Sequence, residues 1–235
     1  MRLLSLIFSL IASTAFSQQI ADTLFHFDIK QPRYEKDKGP LILLDEGHHN
    51  FHTTTGRFKP FSDFLRKDGY VLRGYAKKFS EDELKSARIL VIANALNEAN
   101  QTEWRLPTPS AFTDEEIRVL ASWVSQGGSL FLIADHMPFP GAAERLAATF
   151  GFTFYNGFAF RKSNPAVAIG NPLAIPDIFT IGNGLEENQI TKGNQLEERV
   201  TSVRTFTGQA FKIPAEAIPL IVLSTEYELV LPETA

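Results

Sequence analysis

Three short apolar runs constrain this chain more than any other feature. They are Leu41-Ile-Leu-Leu44, the centre of Arg88-Ile-Leu-Val-Ile-Ala-Asn94, and the centre of Ser129-Leu-Phe-Leu-Ile-Ala134. A strand that is apolar at every position must be covered on both faces. Such strands belong to parallel sheets whose crossover helices lie above and below. Each run also ends on polar residues, so the polar groups collect where the strands stop.

The intervening segments read as helices. Phe58, Phe61, Phe64 and Leu65 recur at helical spacing between Gly56 and Asp68, and Gly69 closes that helix. Ser80 to Glu83 and Thr113 to Glu116 read as capping boxes; Ile117, Leu120, Ala121 and Val124 form the apolar stripe behind the second. Pro140 to Thr149 reads as a further helix with proline near its start. Tyr70–Arg73 and Phe152–Tyr155 read as two more strands. Strands alternating with helices at this pace imply βαβ units with right-handed crossovers. The expected fold class is α/β with a mostly parallel sheet, whose strand order, if it follows the flavodoxin-like 2-1-3-4-5, reverses between the first and third strands.

Past Asn156 the pattern weakens, and residues 156–200 show no clear period. Val200–Phe206 and Ile218–Leu223 read as late strands. Glu226–Ala235 shows no closing element, which reads as a domain truncated at its C-terminus.

Residues 1–17 read as a signal peptide. Arg2 supplies a basic start, Leu3 to Ala15 an apolar run, and Ala15-Phe-Ser17 the small-x-small pattern of a cleavage site. The run is shorter than the roughly 20 residues of a spanning helix, and nothing later is long enough to span. The mature chain is expected outside the cytoplasm, periplasmic or extracellular, without a membrane span. Residues 18–39 read as a lead-in to one domain over 40–235. A net charge of −4 without a basic block argues against a nucleic-acid partner. There is no cysteine. Disulfides, thiolate metal sites and thiol nucleophiles are therefore excluded together.

In an open parallel sheet, ligands bind beyond the carboxyl ends of the strands where the strand order reverses. Here that region holds Asp45, Glu46, His48, His49, Asn50 and His52 after the first strand. Asn94 and Asn97 follow the third, and Asp135 and His136 the fourth. Four of the five histidines fall there. Two uses are open. Asp45, His48, His49, His52 and His136 have the chemistry of a first shell for zinc or another divalent metal. Equally, His136 and His48 with Asp135 have that of an acid–base catalyst, with Glu46, Asn50, Asn94 and Asn97 binding a small polar ligand. The spacing of His48 and His52 puts both rings on one face if the segment is helical. Thr53 to Arg57 reads as an N-cap followed by a solvated arginine, and Glu115-Glu116 as a solvated face. The alternating Phe152, Phe154, Phe158 and Phe160 read as core, with Tyr155 and Phe158 as potential pocket walls. The long polar segment 94–112 reads as a functional loop.

These residues resemble a known group. Leu43-Leu-Asp-Glu-Gly-His-His-Asn50, Ile89 to Asn94, and Gly127-Gly-Ser-Leu-Phe-Leu-Ile-Ala-Asp-His136 with Pro138 and Gly141 to Glu144 carry the resemblance. The group is an uncharacterised, exported branch of the class I glutamine amidotransferase-like superfamily, related to domains that accompany gliding-motility transporters. The similarity covers residues 40–155. It implies a flavodoxin-like sandwich with a sharp turn after the fourth strand, where amidotransferases present a catalytic cysteine. Asp135-His136 stands at that turn here, so glutamine hydrolysis through a thioester is excluded. Relatives with histidine at the turn imply a sugar-like ligand. The expected function is non-glutaminase binding of a small polar ligand. The alternative is a metal-assisted hydrolase of amide, ester or glycan-derived substrates.

Overall fold

The computed structural model describes residues 20–163, 176–205 and 208–232. The leader read in residues 1–17 lies outside them. Four strands, β1 (Leu41–Asp45), β2 (Val71–Tyr75), β3 (Ile89–Ala93) and β4 (Ser129–Ile133), form one all-parallel sheet in the order β2-β1-β3-β4. Leu41 lies opposite Val71 and Ile89 opposite Ser129, so the strands end together. Asp45 and Asp135 consequently share one edge of the sheet.

Helix α1 (Lys59–Lys67) connects β1 to β2, α2 (Glu81–Leu84) connects β2 to β3, and α3 (Asp114–Ser125) connects β3 to β4; α4 (Phe139–Thr149) follows β4. The unbroken apolar runs arise because alternate residues enter different clusters. Ile42 and Leu44 pack with Leu72 and Val91 against Phe61 and Leu65 of α1. Leu43, Leu90 and Ile92 pack instead with Ile117 and Leu120 of α3 and Leu146 of α4. Each such side chain contributes about 1.5–3 kcal/mol by leaving water.

Among the described residues, the second half of the chain builds short strand pairs, all antiparallel but one. β5 (Thr153–Phe154) pairs with β10 (Phe211–Lys212), and β6 (Phe158–Arg161) with β11 (Tyr227–Val230). β7 (Asp177–Ile181) lies between β8 (Gly184–Leu185), its parallel partner, and β9 (Ser202–Thr205). A short helix, α5 (Gln189–Lys192), is capped by the Asn188 side chain. Arg161 joins two of these units, reaching Asp177 at 3.2 Å and the Tyr227 hydroxyl at 3.1 Å.

Several sequence expectations change. The fifth strand does not extend the main sheet. Its Phe154 side chain is buried against Ala143 and Ala147 of α4 while its backbone pairs with β10. Ile218–Leu223 is no regular strand but a single bridge from Ile221 to Leu185. Pro219 lacks the N–H that a continuing ladder needs. Tyr227–Val230, where no element was read, forms β11 and pairs along the whole of β6. Ser80 stands at an N-cap but its hydroxyl makes no capping bond, and Glu83 pairs with Lys77 instead. Thr53–Thr55 does not cap α1 either. Thr53 accepts from Gly56 in a turn, Thr54 donates to Glu46, and Phe58 is the N-cap residue. Among the described residues no helix is long and apolar enough to cross a membrane.

Candidate functional site

The carboxyl edge of the sheet holds two groups of polar residues with opposite characters. The first is closed. Asp45, fully buried at the end of β1, accepts from the Gly47 N–H at 3.1 Å, from Asn50 Nδ2 at 2.9 Å and from His48 Nδ1 at 2.8 Å. On its other side His48 Nε2 lies 3.0 Å from Glu116 Oε1. The imidazole stacks on Phe79 at 4.7 Å and meets Phe112 at 4.9 Å. Glu116 is buried as well. Its Oε1 also accepts the Phe79 N–H, and its Oε2 closes the capping box of α3 with Thr113. The solvated reading therefore holds for Glu115, which pairs with Arg118 on the surface, and fails for Glu116.

Both nitrogens of His48 face carboxylate oxygens, so both are N–H donors and the ring is an imidazolium. Burial alone lowers its pKa, but hydrogen bonds and charge from Asp45 and then Glu116 outweigh that and hold it above 6.5. For Glu116, burial raises the pKa; the Thr113 bonds and His48 more than offset it, leaving it below 4.5. His52 moves the other way. Burial first, then the nearby Arg57 charge, push it down to about 4.

These shifts set a pH profile. A raised folded pKa stabilises fully below the unfolded value and is lost as pH rises through the folded one; a lowered one weakens the fold as pH falls. His48 therefore erodes stability above pH 6.5, and His52 erodes it from 6.5 down towards 4. Melting temperature should peak near pH 6.5, and His48→Gln should remove the alkaline fall. A wild-type curve still rising at pH 8 would contradict the imidazolium assignment.

The second group is open. Asn94, buried and left-handed at φ 49°, is its centre. Its carbonyl accepts the Phe51 N–H at 3.0 Å, its Oδ1 accepts the Asp135 N–H at 2.9 Å, and its Nδ2 lies 3.3 Å from His52 Nε2. One residue thus ties the loop after β1 to the turn after β4. The Asp135 carboxyl is raised by burial, against the opposing pull of His136. His136 donates through Nδ1 to the Met137 carbonyl at 2.7 Å and stacks on Phe158 at 4.8 Å. Trp104 stands edge-on to His136 at 6.0 Å and is 42% exposed.

Trp104 is delivered by the long 94–112 loop. Asn100 folds that loop by donating to the carbonyls of Glu103, Arg105 and Pro107. Asn97 caps the 3-10 turn Glu98–Asn100 and bonds the Ser110 carbonyl, so its side chain serves the loop. Glu46 is engaged by the N–H and hydroxyl of Thr54, and Asn50 by Asp45 and His48. His49 is exposed in a left-handed turn at φ 48°. The segment from His48 to His52 is a loop, so the two rings do not share a helical face. His48 belongs to the closed group and His52, stacked on Phe58 at 4.3 Å, to the open one. Among the described residues no group of three or more His, Asp or Glu side chains is arranged to hold a metal.

Sequence reasoning did not single out Glu116, Trp104, Arg57 or Gln209. Arg57 is not merely solvated: it donates to the Phe51 carbonyl and lies 3.8 Å over the Phe51 ring. The capping-box motif was the available signal for Glu116, because one of its oxygens remains free for a second partner. Trp104 carried only its place in a long loop.

No family model and no curated protein sequence matches the chain. A solved structure titled "mmIFT52 N-terminal domain" is similar in fold, with a TM-score of 0.56 and 13% identity over 77% of this chain and 72% of that one. At that identity the likeness concerns the fold alone.

Proposed function

We propose that this is an exported, amidotransferase-like domain without glutaminase activity that binds a small polar, sugar-like ligand. In this reading the fold is a flavodoxin-like three-layer sandwich, with α1 on one face of the sheet and α3 on the other. The ligand sits at the open group, where His136, next to Asp135, meets Trp104. The observation that carries the reading is the half-exposed Trp104 ring edge-on to His136, whose chain neighbour Asp135 carries a desolvated carboxyl. A flat apolar surface with a few convergent polar groups is the usual make-up of a small-ligand site, and an aromatic face suits the C–H face of a sugar ring. The closed group has a different part: it anchors the loop after β1 to α3 and so fixes the floor of the site. The lack of cysteine removes the thioester route.

Titration with neutral monosaccharides, followed by tryptophan fluorescence and calorimetry, tests this. The chain has two tryptophans, Trp104 and Trp123. A saturable fluorescence change should vanish in Trp104→Phe. Trp104→Ala and Asp135→Asn should each weaken binding by roughly tenfold or more, on the order of 1.4 kcal/mol. Unchanged affinity in both of those variants would rule the site out.

A further inference from the structure

We infer that Gln209 and His52 form the polar wall of this site and together read a ligand group that carries both a hydrogen-bond acceptor and a donor, namely an N-acyl group. The inference rests on the ligand-binding reading above and adds the chemistry that the ligand must present.

The protons can be placed from the hydrogen bonds alone. Asn94 Oδ1 accepts the Asp135 N–H at 2.9 Å, so the atom 3.3 Å from His52 Nε2 is the amide nitrogen. An amide NH₂ only donates. His52 Nε2 must therefore hold the lone pair, and the proton sits on Nδ1. That Nδ1–H is buried and has no partner among the described residues. Gln209 is resolved in the same way. A backbone carbonyl only accepts, so the amide nitrogen is the atom 2.9 Å from the Ala134 oxygen, and Oε1 is left as the acceptor. That oxygen is also buried without a partner among the described residues.

Both unmet groups belong to the same edge of the sheet. His52 reaches Asp135 through Asn94, and Gln209 holds the carbonyl of the adjacent Ala134. Gly208 lies against Asp135, where a Cβ would stand 3.8 Å from Oδ1. Each buried unmet donor or acceptor is destabilising, and a ligand that supplies the partner recovers that loss. A carboxylate could satisfy only His52 and an ammonium only Gln209; a hydroxyl, which accepts and donates at a single oxygen, is the competing group, and equal binding of glucose would reveal it. A neutral amide satisfies both, its carbonyl accepting from His52 and its N–H donating to Gln209.

The test compares N-acetyl-D-glucosamine with D-glucose and D-glucosamine by calorimetry on wild type, Gln209→Leu and His52→Phe. Long-range proton–nitrogen NMR of the imidazoles accompanies it. N-acetylglucosamine should bind wild type roughly tenfold more tightly than glucose, and each substitution should remove that advantage. The ligand-free spectrum should show His52 as the Nδ1–H tautomer, with that nitrogen shifting on addition of N-acetylglucosamine. Equal binding of glucose, unaltered affinity in both variants, or an Nε2–H tautomer overturns the inference. In those cases a continued dependence on Trp104 and Asp135 keeps the binding site itself. A wild type that binds none of the three sugars ends both.

Discussion

Replacing His48 with alanine should cost about 3–5 kcal/mol of stability, the largest single effect expected in this protein. The residue bridges two carboxylates that are 0% and 3% exposed, and its removal leaves both charged and facing a cavity. At about 2–4 °C per kcal/mol for a domain of this size, melting should fall by on the order of 10 °C. Glu116→Ala should fall nearly as far. It removes the same bridge and also the Thr113 capping box and the acceptor for the Phe79 N–H. The double variant should lose clearly less than the sum, because residues in one network are coupled. Additive losses in thermal or denaturant unfolding would show that the two side chains act independently. A His48→Ala protein that melts within about 2 °C of wild type would discard the buried ion bridge, given that scale.

Asn94 should give the largest effect outside the His48 bridge, and its two simplest replacements should separate fold from function. Asn94→Ala removes the bonds to Asp135 and His52 and leaves a β-carbon in the left-handed conformation without the polar side chain that favours it, together costing roughly 2–4 kcal/mol. Asn94→Gly loses the same side-chain bonds but relaxes the backbone, so it should recover about 1 kcal/mol of that loss. Ligand affinity should not recover with it. Without the amide, neither the Asp135 turn nor the His52 ring is held, and binding should fall at least tenfold in both variants. The comparison needs only chemical denaturation and the sugar titration. A glycine variant that binds as wild type would mean that Asn94 positions nothing.

The apolar runs of β1 and β3 were legible because a strand covered on both faces leaves a local pattern, and chain connectivity then orders the strands; β4 carries a similar run at the sheet edge, where Phe131 is exposed. The same logic placed Asp45, Asn94 and Asp135 at one edge, since parallel strands in register end together. For β5 the pattern failed to give the partner strand. β5 holds only Thr153 and Phe154, and alternation over so short a span cannot choose a partner strand. The histidine cluster was legible as a concentration but not as a geometry. It divides into a closed imidazolium bridge at His48 and an open pair at His52 and His136.

From its sequence alone this chain determines its cysteine-free chemistry, its parallel strands and the edge where its polar residues gather. Those follow from composition, residue period and connectivity, which are local. The tertiary structure alone decided which atoms meet. Glu116 reaches His48 across 68 positions, and Gln209 reaches Ala134 across 75. Contacts between such distant residues depend on how α3 and the C-terminal segment pack against the sheet. No spacing rule encodes that, because side chains from separate elements meet only after the core has set their distance and direction.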